Sequence, residues 1–247
     1  MSTLLEYFDA TYMINRPERT DRLRSVRQQL AHVGWSVGPG GVEVFPACTF
    51  ADRAGFPNAG ARGCFHSHLE CLRRAQLAQC RNILMLEDDV AFASALPRLT
   101  ASVVSQLNRT AWDFVYFGHE ETGDIPRADL RTQPSDVHFE TTLQTIHTTH
   151  FYAINGRVLP RIITHLERLS NGIEGDQVSG PMPIDGAFHL FRLKNPDVRC
   201  FITVPKLGWQ RPSRSDIIPR RFDSLTVVRP IISVLRELKY LTTSWSR

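Results

Sequence analysis

Ile83-Leu84-Met85-Leu86-Glu87-Asp88-Asp89-Val90 holds an abrupt transition, four apolar side chains running straight into three carboxylates. A strand that is apolar at every position, rather than at alternate ones, is covered on both faces. Ile83 to Leu86 therefore belongs inside a sheet with helices packed on either side.

Outward from that strand, short apolar runs alternate with longer amphipathic ones. Before it come Tyr12 to Ile14, a helical pattern from about Glu18 to His32, Val42 to Phe45, and a second helical pattern from about Cys64 to Gln79. After it come a helix to about Leu107, Asp113 to Phe117, and Phe151 to Ile154 leading into a helix that ends near Leu169. Strand and helix periodicities taking turns predict an α/β fold with a mainly parallel central sheet flanked by helices. Two polar stretches, His119 to Asp136 and Ser170 to Pro183, contain Gly and Pro without periodicity and are expected to be long loops, either functional or merely variable.

Composition narrows the class. The 247 residues are 42% hydrophobic and 22% charged, which excludes a disordered or fibrous chain. The net charge of +4 is too small to imply nucleic-acid binding, and its distribution is uneven. From Lys206 to Arg247 there are nine basic and three acidic residues, so the body of the chain is slightly acidic. Cysteines at 48, 64, 71, 80 and 200 form an odd set without a CxxC pair or a Cys/His ligand spacing, which argues against a disulfide framework and structural zinc. The first twelve residues carry Glu6 and Asp9 where a secretion signal needs basic residues, and no apolar run approaches the roughly 20 residues of a membrane span. The expected location is the cytoplasm, with reduced thiols.

Three adjacent carboxylates at the end of a buried strand repel one another unless a cation or a set of donors offsets the charge. A hard divalent ion such as Mg²⁺ or Mn²⁺ suits oxygen ligands of this kind, often together with substrate phosphates. In an extended segment Glu87 and Asp89 point one way and Asp88 the other, so the first two could share one site. The carboxyl ends of strands are also where open α/β sheets bind ligands. The alternative is that one Asp caps the following helix while the others are solvated. Ser67 and His68 open the helix predicted from Cys64, where free N–H groups can receive an anion; a buried structural histidine is the competing reading of His68.

Leu86-Glu87-Asp88-Asp89-Val90, preceded by Gly63-Cys64-Phe65-His66-Ser67-His68-Leu69, resembles glycosyltransferase family 25, the lipopolysaccharide and collagen galactosyltransferase group. Met13 to Arg19, Trp112 to Gly118, Thr149 to Asn155, Pro183-Ile184-Asp185 and Gln210 to Ile218 resemble further family segments in the same order, spanning residues 11–218. His66 departs from the pattern, which generally has an apolar residue before Ser-His.

The resemblance implies a GT-A-like fold, a nucleotide-sugar donor such as a UDP-sugar, and inverting transfer to a glycan or lipid-linked saccharide. It places the acidic motif between donor ribose and metal, with Asp89 as the direct Mn²⁺ or Mg²⁺ ligand, Glu87 as a second, and Asp88 beside them. Asn15 and Arg19 fall where the nucleotide is expected, although Arg19 and Arg22 could equally pair with Glu18 or Asp21. Inverting transfer needs a base for the acceptor hydroxyl; Asp185 is the first candidate, with an N-cap as its alternative, and Asp176 the second. Gln210, Ser215 and Asp216 resemble the closing motif and are expected at the donor or acceptor cleft. Trp209 is either a sugar-stacking ring or a buried aromatic.

The expected organisation is a catalytic domain over residues 1–225 and a basic amphipathic helix over 226–247, where Ile231, Leu235 and Leu238 share one face. That helix either docks on its own domain or rests on an anionic membrane surface. A binding module that keeps the fold without catalysis is the alternative to an enzyme.

Overall fold

The computed structural model describes residues 4–120, 136–176 and 178–211. Its centre is a seven-stranded sheet. The strands are β1 (Ala10–Asn15), β2 (Glu43–Pro46), β3 (Asn82–Glu87), β5 (Phe114–Gly118), β6 (His138–Thr141), β7 (Phe151–Asn155) and β8 (Cys200–Val204), in the spatial order β2-β1-β3-β7-β5-β8-β6. A separate two-stranded ribbon pairs β4 (Val90–Phe92) antiparallel with β9 (Gly208–Gln210). The helices are α1 (Thr20–His32), α2 (Ala59–Leu77), α3 (Leu96–Arg109), α4 (Leu159–Ser170) and α5 (Ile184–Lys194).

Five of the seven strands run in one direction; β7 and β6 run against them. The reversal at β7 has a simple cause. A parallel neighbour needs a crossover helix, whereas an antiparallel one needs only a loop, and between β5 and β7 the described residues contain a strand and no helix.

The β3 strand sits inside the sheet, parallel to β1 and antiparallel to β7. Ile83 and Met85 enter one core with α2, α4 and α5, while Leu84 and Leu86 enter the opposite core with α1 and α3. The same alternation runs through Tyr12 and Ile14 against Met13, and through Phe114 and Tyr116 against Val115 and Phe117. All four apolar side chains of β3 are fully buried, each contributing about 1.5–3 kcal/mol relative to exposure. Such a strand ends where polarity begins, so the chain leaves the sheet at the acidic residues.

Helix α2 starts five residues earlier than its periodicity predicts. Asn58 caps it, its side chain accepting from Ala61 N at 2.8 Å. Gly60 and Gly63 obscure the helical signal because glycine is a poor helix former, yet Gly63 serves packing: a Cβ there would lie 2.5 Å from the Cys48 carbonyl oxygen. The segment between α4 and α5 forms turns, as expected of a loop. Most of the loop expected over 119–136, and the basic helix expected over 226–247, lie outside the described residues. No described helix is long and apolar enough to cross a membrane. All five cysteines are free.

Candidate active site

At the carboxyl end of β3 the chain does not continue extended. Asp88 and Asp89 form a turn into β4, so the expected alternation of side chains breaks down and all three carboxylates face one cleft of about 380 Å³. Arg211, just after β9, holds this turn through its backbone: its N–H donates to Asp89 O and its Nη2 to Asp88 O, both at 2.7 Å.

The three acids have different surroundings. Asp88, 5% exposed, accepts from Asn15 Nδ2 and from Arg22 Nη1, each at 2.8 Å. Glu87 Oε1 accepts from Thr149 Oγ1 at 2.6 Å and lies 3.3 Å from His68 Nε2. Burial pushes Glu87 up, but His68, Thr149 and His150 together outweigh it and hold the carboxyl below its usual range. Asp89, 7% exposed, accepts from Gln210 Nε2 at 3.2 Å on Oδ2, while its buried Oδ1 has no hydrogen-bond partner among the described residues. Burial and the neighbouring Glu87 charge raise Asp89 to about 7, against the opposing pull of Arg22.

Several expected contacts resolve into positioning roles. Asn15 is buried and bonded to Asp88. The Arg19 guanidinium forks onto Asp21, with both bonds at 3.0 Å, and Arg19 is not among the cleft-lining residues, in line with the ion-pair alternative. Ser67 and His68 are not at a helix start: they lie two turns inside α2, where backbone N–H groups are already bonded, so the anion site expected from them there is not formed. Ser67 Oγ donates to Gly63 O at 2.6 Å and accepts from Cys48 N at 2.8 Å, tying the approach loop to the helix. His68 is fully buried between Glu87 and the Tyr152 hydroxyl, 2.8 Å from Nδ1. The actual start of α2, at Ala59 and Gly60, is at the cleft rim.

Asp185 occupies the first turn of α5 and accepts from Gly186 N at 2.8 Å; it does not cap the helix, whose N-cap position is Pro183. Burial raises its pKa, partly countered by the Gly186 N–H and by His147, while the Glu87 charge adds to the rise. Asp185 is not among the residues lining the cleft. Asp176 instead braces its own loop, accepting from Val178 N, Ser179 N and Ser179 Oγ. Trp209 is half-buried on β9 and does not line the cleft, whereas Gln210 does. Ser215 and Asp216 lie outside the described residues. The departure at His66 is accommodated among the rings of Phe50, Phe56 and Phe65, with Nε2 3.2 Å from Ser170 Oγ.

Two features went unread in the sequence. Arg22 and Arg211 clamp the acidic turn from α1 and from beyond β9, a pairing across 66 and 123 positions that no local pattern reveals. Cys64 and His68, one helical turn apart, bring their ligand atoms and that of Glu87 within 4.8 Å of one another. The absence of a Cys/His ligand spacing is corrected here: a Cys-x-x-x-His on a helix is such a spacing. Asp89 is not part of that group.

No family model matches the chain, and no curated protein matches it. A solved glycosyltransferase involved in the glycosylation of the major capsid of PBCV-1 is similar over 93% of this chain and 98% of its own, with a TM-score of 0.52 and 11% identity. The 4-diphosphocytidyl-2C-methyl-D-erythritol synthase of Anaerococcus prevotii aligns over 93% of this chain and 88% of its own at 14% identity, with a TM-score of 0.39 that is too low to bear on the fold. The first likeness establishes a GT-A-like fold.

Proposed function

We propose that the protein is an inverting glycosyltransferase that moves a sugar from a nucleotide-sugar donor to a glycan or lipopolysaccharide-type acceptor. UDP-galactose is the first donor to try, on the strength of the resemblance to family 25. The observation that carries this reading is Asp89: a buried carboxylate oxygen without a hydrogen-bond partner among the described residues, in a cleft at the end of the central strand.

That orphaned oxygen fits a hard divalent cation, Mn²⁺ or Mg²⁺, with Asp89 as its ligand and Glu87 beside it. When bound, such an ion neutralises the donor pyrophosphate and the charge that develops on the leaving nucleoside diphosphate. The protein's own residues supply the framework. Asn15 and Arg22 fix Asp88 and hence the acidic turn, Gln210 orients Asp89, and His68 orients Glu87. Arg16, which pairs with Glu18, and Arg22, which pairs with Asp88, also line the cleft, where a donor phosphate would compete for them. Asp185, outside the cleft lining but close enough for the Glu87 charge to raise its pKa, is the base assigned to the acceptor hydroxyl as it attacks the anomeric carbon, a role that requires the acceptor to reach beyond the cleft towards α5. On the resemblance, Ser215 and Asp216 are assigned to the donor or acceptor, and the catalytic unit to residues 1–225.

The same reading puts the enzyme in the cytoplasm, with the basic segment 226–247 either docking on its own domain or meeting the membrane that carries a lipid-linked acceptor. Flotation with anionic liposomes tests this: full-length protein should float and the 1–225 form should not, and equal recovery contradicts membrane contact. The activity itself is tested by a screen of UDP-, GDP- and CMP-sugars with Mn²⁺, reading nucleoside diphosphate release. One donor class should be turned over. Binding without release identifies a non-catalytic module, and no donor binding contradicts the proposal.

A further inference from the structure

Cys64, His68 and Glu87 bring three ligand chemistries to one wall of the cleft. A thiol sulfur, an imidazole nitrogen and a carboxylate oxygen, one from each, lie within 4.8 Å of one another. Two come from α2, where side chains four residues apart share a face; the third comes from the last residue of β3.

His68 supplies the observation that points to a ligand. It is fully buried, its Nε2 has no hydrogen-bond partner among the described residues, and that nitrogen faces Glu87 Oε1 across 3.3 Å. The other ring nitrogen is 2.8 Å from the Tyr152 hydroxyl. A metal takes the Nε2 lone pair in the tautomer with Nδ1–H donating to Tyr152; in the other tautomer Nε2–H points to Glu87, the arrangement in which His68 lowers the pKa of that carboxyl. Thr149 in turn donates to Glu87 Oε1 at 2.6 Å and fixes that carboxylate. Outer partners of this kind orient metal-binding imidazoles and carboxylates.

We propose that Cys64, His68 and Glu87 form a binding site for a zinc-type divalent ion, separate from the hard-cation position at Asp89. Mg²⁺ and Mn²⁺ favour oxygen donors, whereas a thiolate, an imidazole and a carboxylate together suit Zn²⁺. In a tetrahedral zinc site the nitrogen-to-oxygen edge is roughly 3.3 Å and the nitrogen-to-sulfur edge roughly 3.6 Å. The His68–Glu87 separation already has the first value, and the Cys64 sulfur lies within 4.8 Å of both other ligand atoms. All three residues line the cleft, and three protein ligands leave a fourth position for water or a ligand oxygen, the pattern of an open site and not of a closed structural one. Binding forms a sulfur–metal bond and releases the Cys64 thiol proton to solvent. The site shares Glu87 with the donor reading but does not depend on it.

The test is titration of the full-length chain with Co²⁺ as a spectroscopic stand-in. Thiolate-to-cobalt charge-transfer absorption in the near ultraviolet, intense visible bands of a four-coordinate ion, and displacement of both by Zn²⁺ are expected. Cys64→Ser should remove the charge-transfer band and weaken Zn²⁺ binding by more than the roughly 10–100-fold that loss of an outer partner costs. A wild-type cobalt spectrum without charge transfer, or equal Zn²⁺ affinity in wild type and Cys64→Ser, overturns the site. The wild-type spectrum needs no substitution, so a variant that misfolds does not obscure the answer. UDP binding with Mn²⁺, measured on the same wild-type protein, separates failure of this site from failure of the donor reading.

Discussion

Asp88 and Asp89 are neighbours in sequence, nearly equal in burial, and opposite in circumstance. Asp88 has both carboxylate oxygens bonded, one to the Asn15 amide and one to Arg22. Asp89 has one oxygen bonded to Gln210 and the other buried without a partner among the described residues. Arg22 is 2.8 Å from Asp88 but 3.9 Å from Asp89. Adjacent identical residues thus differ in circumstance: Asp88 is bonded into the scaffold, while Asp89 Oδ1 is buried without a partner among the described residues, the position the proposed function gives to a cation. An unsatisfied buried carboxylate in an otherwise well-bonded turn is the kind of local conflict that marks function.

The sharpest way to break this comparison is Asp89→Asn. Turnover should fall by about 10²–10³-fold, the scale of losing one electrostatic contact to the developing charge. The melting temperature should be unchanged or raised, because the substitution removes a buried charge lacking full compensation. Nucleoside diphosphate release and thermal melting measure the two sides.

Asp88→Asn should do the reverse. It leaves Arg22 without its carboxylate and sets an amide against the Asn15 amide, at about 1–3 kcal/mol of stability by chemical denaturation. If Asp88→Asn leaves stability untouched while Asp89→Asn destabilises, the assignment of scaffold and site is inverted. A finer test is Asn15→Ala, expected to cost roughly 0.5–1.5 kcal/mol, with a coupling of at least about 0.5 kcal/mol to Asp88→Asn in a double-mutant cycle. Additive effects would mean that the Asn15–Asp88 bond does not act as a unit.

Asp185 is a third carboxylate and extends the contrast through pH. Its pKa is raised by burial, so the acid limb of kcat/KM should lie above the ordinary aspartate value. Its folded-state pKa exceeds the unfolded one, so its contribution to stability is present at low pH and is lost as pH rises through the folded value. Asp185→Asn should therefore be slightly more stable than wild type at neutral pH, gaining less in acid, while losing transfer and keeping donor binding. An unchanged pH profile, or loss of donor binding along with transfer, contradicts a role confined to proton removal.

The main architecture is legible in the sequence because burial leaves periodic traces. The uninterrupted apolar run of β3, and the amphipathic patterns of α1, α3 and α4, locate these elements to within a few residues. Short elements leave too few residues for a period: β4 and β9 have three each, and they make the ribbon that closes the acidic turn. Helix α2 is shortened in the sequence reading by glycines whose value lies in tertiary packing against Cys48. At the site, the acidic triplet is visible as a charge anomaly. Which of its members is saturated depends on Asn15, Arg22 and Gln210, which reach it from β1, α1 and β9 across 66 to 121 positions. The expected alternation of Glu87 and Asp89 against Asp88 fails for the same reason, since the clamp from Arg211 turns the chain there.

The central claim is that Asp89, and not Asp88, completes a cation site for a nucleotide pyrophosphate. Calorimetric titration of UDP into wild type and Asp89→Asn, each with and without Mn²⁺, tests it most directly. The account predicts binding by wild type that depends on Mn²⁺ and is lost in Asp89→Asn while the variant remains folded. Binding of equal strength with and without the metal, or undiminished in Asp89→Asn, would contradict it.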